Sequence, residues 1–221
     1  MEYTLEKSIW AEADFEQMGW HDVLIYEMAM TGDLELDIDY IFKRNEPEVK
    51  GGKYTFWISP CTLVFKQIRE LKFDLDVVRI TRYGFEIDYI ERDGDHYTIV
   101  TQIGDISFFC DGYEQFVRQQ PTLQYRKFIG AERGEYTLER ITDQPNPLWK
   151  SEKYIEQRKK DAELFEYVKK REQKKLEMEA LEERRLNGEI DTKEFLRLKR
   201  ELWAAIEGYG YWLKGTLFED A

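Results

Sequence analysis

Hydrophobic and polar residues alternate with period two through most of the chain before residue 145, in short runs rich in Val, Ile, Tyr, Phe and Thr. That period places successive side chains on opposite faces of a pleated strand. It predicts strands at about Asp22 to Met30, Leu34 to Phe42, Tyr54 to Ser59, Thr62 to Ile68, Leu71 to Val78, Phe85 to Ile90, Tyr97 to Gln102 and Ile106 to Cys110. Turn residues separate the runs at Thr31-Gly32-Asp33, Gly51-Gly52, Ser59-Pro60, Tyr83-Gly84, Asp93-Gly94-Asp95 and Gly104-Asp105. Connections this short favour antiparallel neighbours, because a parallel crossover needs about a dozen residues or more. Short helices are expected at Ala11 to Met18 and at Gly112 to Gln119, ahead of Pro121.

Pro145 and Pro147 break any regular element within Thr142 to Pro147, since neither can donate a ladder hydrogen bond and each restricts its predecessor. A boundary is expected there, between a β-rich domain over 1–145 and a charged helical arm over 146–221. Beyond it the composition shifts to Lys, Glu, Arg and Leu, which suits long solvated helices. Ser151 can cap a first helix running to about Leu186, whose apolar positions are too sparse for a regular coiled coil. Asn187-Gly188 ends it, and Asp191 with Glu194 opens a second helix bearing Phe195, Leu198, Leu202, Trp203 and Ile206. The fold class expected is therefore α+β: an antiparallel sheet, as a sandwich or half-barrel, followed by a C-terminal helical hairpin that packs on it or joins subunits.

Leu181, Leu186, Gly188, Ile190, Glu194, Phe195, Lys199 and Leu202 occur in an order that resembles the short C-terminal (SHOCT) domain of bacterial proteins. The resemblance spans residues 181–202, about a tenth of the chain, and the chain continues past it through Trp203. It implies oligomerisation, with Leu186, Phe195, Leu198, Leu202 and Trp203 as the contact residues, and no catalytic group. Residues 1–145 resemble small uncharacterised bacterial β-rich proteins through Gly19-Trp20-His21-Asp22, Asp37-Ile38-Asp39-Tyr40-Ile41-Phe42 and Phe56-Trp57-Ile58-Ser59-Pro60. That likeness implies a bacterial source and an independent β domain.

Composition adds that the chain folds: 42% hydrophobic and 15% aromatic residues are too many for a disordered one. No apolar run approaches the roughly 18 residues that cross a bilayer, and the opening Met-Glu-Tyr-Thr-Leu-Glu lacks the pattern of a secretory signal, so a cytoplasmic protein is expected. Cys61 and Cys110 are too few for a cysteine-based metal site and are expected as reduced, buried thiols. The net charge of -12 is concentrated, with 13 acids against 4 bases in residues 1–50. A surface of that sign disfavours nucleic acid and suits a basic protein partner.

Part of the acidity falls in stripes. In Asp33 to Asp39 the apolar Leu34, Leu36 and Ile38 share one face, which leaves Asp33, Glu35, Asp37 and Asp39 on the other. Asp74 and Asp76 oppose Phe73 and Leu75, and Glu86 and Asp88 oppose Ile87, in the same way. Three readings of these acids compete. They can pair with basic residues of neighbouring strands such as Lys43, Lys72, Arg79 and Arg82; they can form a protein-binding face; or they can hold a divalent metal of a hydrolase, although no calcium-loop spacing is present.

Other chemistry is thin. His21 beside Asp22 lacks a nucleophile elbow, His96 sits at a turn, and Gly51-Gly52 and Gly208-Tyr209-Gly210 lack the rest of any phosphate-binding fingerprint. The aromatic cluster Tyr209, Tyr211, Trp212 and Phe218 is expected to dock on the β domain or to anchor a partner. The function expected is a cytosolic bacterial module of the immunity or antitoxin type that engages a basic partner through Glu35, Asp37, Asp39, Asp74, Asp76, Glu86 and Asp88, without a cofactor. The alternatives are a metal-dependent hydrolase using the same carboxylates and an oligomeric scaffold.

Overall fold

The computed structural model describes residues 3–76, 78 and 85–220. Ten antiparallel strands form one open sheet, and two long helices follow, an α+β arrangement. The strands are β1 (Ile9–Ala11), β2 (Val23–Met30), β3 (Leu34–Asn45), β4 (Thr55–Phe65), β5 (Arg69–Leu75), β6 (Glu86–Asp93), β7 (His96–Thr101), β8 (Gly104–Phe109), β9 (Tyr113–Val117) and β10 (Thr122–Gln124). Their order across the sheet is β1-β9-β4-β3-β2-β6-β7-β8-β5, with β10 added to β4. The helices are α1 (Glu152–Leu186) and α2 (Thr192–Leu213). Neither is long and apolar enough to cross a membrane.

Two compact units result, Met1–Arg44 with Thr55–Trp149, and Asn45–Tyr54 with Lys150–Ala221. The first holds the sheet. Its core comes from one sheet face, through Val23, Ile25, Leu34, Leu36, Ile38, Leu63, Phe65, Ile87, Ile99, Ile106, Phe108 and Tyr113. Phe65 on β4 meets Phe108 on β8 with ring centroids 4.9 Å apart, although five strand pairings separate those strands in the sheet order. The sheet is therefore curled, and its concave face buries the apolar set that alternation assigns to one side of each strand.

Several local expectations are corrected. Ser59-Pro60 is not a turn but lies inside β4, which fuses two expected strands. The imide fits because β4 pairs β10 through residues 56–58 and β9 through 61–65, so Pro60 falls in the gap between two partners, where no ladder donor is required. Gly112 to Gln119 is not helical: Tyr113, Gln115 and Val117 alternate inward and form β9. Ala11 to Met18 shortens to one 3-10 segment, Glu12–Gln17. In β6 a bulge at Asp88 lets Ile87 and Ile90 both point inward. The turn expected at Tyr83-Gly84, and the side chains of Arg79 and Arg82, lie outside the described residues.

The second unit is an antiparallel helical pair. Ser151 accepts a bond from Tyr154 N–H at the start of α1, and Asp191 accepts one from Glu194 N–H at the start of α2. Between the helices Gly188 takes the left-handed conformation with φ of 73°. Tyr167 lies against Tyr209 and Trp212, Phe165 against Phe218, and Lys199 is bonded to Glu182, while Leu213 and Phe218 are buried. The C-terminal aromatic cluster thus packs in part onto α1. From the β3–β4 connection, Glu48 joins this unit through Lys169.

Candidate functional site

The β3 stripe is where the sequence concentrates carboxylates, and its convex face is covered. Asp37 and Asp39 are fully buried, as are Arg118, directly after β9, and Arg133, in a 3-10 turn at Ala131–Arg133 of the segment that runs on to residue 141. Arg118 donates from Nη2 to Asp37 Oδ1 at 2.5 Å and from Nη1 to Thr62 Oγ1 and the Thr137 carbonyl. Arg133 donates from Nη2 to the same Asp37 oxygen and from Nε to Asp39 Oδ1 at 2.9 Å. Backbone N–H groups of Thr137 and Ile129 donate to Asp37 Oδ2 and Asp39 Oδ2. Tyr26, stacked on Tyr136 and lying under the Arg133 guanidinium, donates its hydroxyl to Asp39. At the exposed end of the stripe Arg140 bonds both Asp33 and Glu35.

Electrostatics follow from this closure. Burial raises the Tyr26 phenol and Asp39 reinforces the rise, so the hydroxyl stays a donor. Burial likewise pushes Asp39 upward, against the pull of Arg133, the Ile129 N–H and Tyr26. Burial draws Arg133 down, and the two carboxylates outweigh it and hold the guanidinium firmly charged. A dry ion-pair cluster of this kind contributes little net stability compared with apolar packing, but it fixes which loop covers which strand.

Asp37 and Asp39 are therefore removed from the face offered to a partner, and Glu35 is tied to Arg140. The β3 acids are paired by basic residues of the covering segment, and among the described residues neither Lys43 nor Lys72 pairs with them. Glu86 stands in one cross-strand row with Asp39, each facing Leu24 from opposite sides, and it lies beside Lys127, which also bonds Asp22. Asp88 holds the exposed His21. The three stripes do not merge: β3 and β6 flank β2, while β5 sits at the far edge beyond β8.

A second, open acidic face lies on β6, β7, β8 and β5. Register aligns Tyr89, Val100, Asp105 and Asp74 in one row, Glu91, Thr98, Ser107 and Lys72 in the next, and Asp93, His96, Phe109 and Arg69 in a third. Asp74 and Asp105 are direct cross-strand partners, and both are exposed. Like charges so placed repel. Among the described residues Asp74, Asp105, Glu91 and Asp93 have no ion-pair partner, while Arg69 is engaged by Asp95 and Asp111. Asp76 lies just past the end of β5, accepting from Val78 N–H.

Only Asp74 of the residues expected on a binding face stands in these rows. Asp105, Glu91 and Asp93 were missed, although the turns at Asp93-Gly94-Asp95 and Gly104-Asp105 imply the two hairpins that bring them together. Among the described residues no three His, Cys, Asp or Glu side chains are grouped so as to hold a metal ion. No family model, curated protein or solved structure matches the chain.

Among the residues expected in oligomerisation, Phe195, Leu198 and Leu202 are half-buried, whereas Trp203 is 54% and Leu186 87% exposed. Phe195 and Leu202 share helical phase with Tyr209, which rests on Tyr167 of α1. Their stripe closes the hairpin and leaves Trp203 on a different face.

Proposed function

We propose that the protein is a cytosolic bacterial binding module of the immunity or antitoxin kind, which captures a basic protein partner on the convex face of β6, β7, β8 and β5. The observation that carries this reading is the directly opposed, exposed pair Asp74 and Asp105, with Glu91 and Asp93 in the next two rows of the same face and no ion-pair partner for any of the four among the described residues. Such a patch costs the isolated fold stability and gains from a cationic surface, which it also attracts over distance. Tyr89, 45% exposed in the same rows, supplies an aromatic contact of the kind that anchors interfaces. Two free, buried cysteines accord with a reducing compartment.

Backbone amide shifts of the full chain, followed during titration with an oligo-lysine peptide, test the reading. Perturbations should centre on Asp74, Glu91, Asp93 and Asp105 and weaken in a variant carrying Asn or Gln at these four positions. Shifts scattered evenly over the acidic surface, or unchanged in the variant, would remove the basis for it.

A further inference from the structure

α2 carries two apolar stripes, of which one packs on α1. The Phe195, Leu202 and Tyr209 stripe faces α1. At about 100° per residue, Leu196, Trp203 and Gly210 lie within about 20° of a common line, roughly a quarter-turn away from the first stripe. Leu196 is 46% and Trp203 54% exposed. A Cβ at Gly210 would meet nothing within 4 Å, so no contact among the described residues accounts for a glycine in the interior of a helix that glycine weakens. On one flank of this line stand Arg200 and Glu207, at about 40–60° from it. Neither has an ion-pair partner among the described residues, although other charged side chains of the helix do, as in Arg197–Glu201 and Lys199–Glu182.

We propose that this stripe is a self-association surface, on which α2 of a second copy of the chain packs antiparallel about a two-fold axis at Trp203. The charge order selects both the occupant and the direction. Arg200 precedes Trp203 by three residues and Glu207 follows it by four, about 4.5 and 6 Å along the axis. A two-fold axis across the helices keeps each flank on its own side while reversing the chain. Arg200 then faces Glu207 of the second copy, Glu207 faces its Arg200, and the two Trp203 rings meet between the pairs. The same operation places Leu196 over the bare backbone at Gly210, which gives that glycine a use. A parallel pair, whose two-fold axis runs along the helices, would exchange the flanks, leaving Arg200 and Glu207 of the two copies on opposite sides with no such pairing between them.

Sedimentation velocity on the full chain tests this pairing, with Arg200→Glu, Glu207→Arg and the double exchange compared at equal concentration. Wild type should sediment as a species of twice the 26.7 kDa chain mass. Each single exchange should weaken association about tenfold or more, because it opposes like charges at two symmetric places, and the double exchange should restore it. Arg200 and Glu207 are exposed and have no ion-pair partner among the described residues, so all three variants should keep the wild-type circular dichroism. A monomeric wild type, single variants that remain dimeric, or a double exchange that fails to recover would each overturn the proposal.

Discussion

Arg118 and Asp37 form an ion pair closed to water on both sides, with Nη2 2.5 Å from Oδ1 and side-chain exposures of 1% and 0%. They are 81 residues apart in the chain. The pair joins the residue that follows β9 to β3, and Arg133 holds the same carboxylate oxygen.

Removing one member of this cluster leaves the others charged and buried. Asp37→Ala should therefore lower unfolding free energy by about 3–5 kcal/mol, whereas Arg140→Ala, which breaks the exposed pairs to Asp33 and Glu35, should cost about 1 kcal/mol or less. Urea denaturation of the two variants measures both. Equal losses would mean that Asp37 is hydrated in solution and that the covering segment does not seal it.

Asp33 gives a pH test. The Gln67 N–H and the Arg140 guanidinium hold its carboxyl below the ordinary carboxylate range. Lys7 and the Ala11 N–H do the same for Asp14. A depressed folded value contributes stability that is complete above the unfolded value and is lost as pH falls through the folded one. Asp39, raised by burial, works in the opposite sense, since its burial disfavours the charged form once pH exceeds its unfolded value. Asp33→Asn should accordingly be less stable than wild type near neutral pH, and the difference should fade as pH falls below the ordinary carboxylate range. A difference that persists unchanged into acid would show that packing, not charge, distinguishes the two side chains.

The difference between legible and illegible features is one of range. The cap at Asp191, the turn at Asn187-Gly188 and the inward set Leu34, Leu36 and Ile38 depend on neighbours within a few residues, so composition and period reveal them. The same period misjudged Pro60, because a proline is compatible with a strand whose partners change there, and partner identity is not local. From sequence the β3 carboxylates admit both a paired and an open reading, for a similar reason. Nothing near Asp37 announces Arg118, Arg133 or Arg140, which come from a stretch without regular period. Conversely, the open acidic face needed only correct hairpins, and its residues Glu91, Asp93 and Asp105 border turns that the sequence marks.

Two turn glycines separate conformational from steric cost. Gly94, between β6 and β7, has φ of 63° with open space where a Cβ would stand. Gly104, the first residue of β8, has φ of 126°, and a Cβ there would lie 2.0 Å from the Asp74 carbonyl oxygen of β5. Gly94→Ala should cost about 1 kcal/mol, the strain of a left-handed alanine. Gly104→Ala adds a backbone collision to a conformation that side chains avoid, and should cost about 3 kcal/mol or more. Thermal melts of the two variants would contradict this packing if they moved by similar amounts.

The cysteines report whether the curled core is as closed in solution as it is in the fold. Cys61 is inaccessible and Cys110 is 1% exposed. Burial pushes the Cys110 thiol up to about 11 and raises that of Cys61 as well. Because the thiolate is the reactive form, both access and ionisation oppose modification at mildly alkaline pH. Ellman's reagent should find no fast-reacting thiol in the native chain and two in denaturant, with the slow native reaction limited by opening of the structure. Cys110 immediately follows β8, which pairs with the edge strand β5, whereas Cys61 lies on β4 beneath the inner face. Opening at the edge should therefore expose Cys110 first. If Cys61 reacts first instead, the closure of β4 by β9 and β10 is the weaker seam, and the covering segment is not what holds the sheet shut.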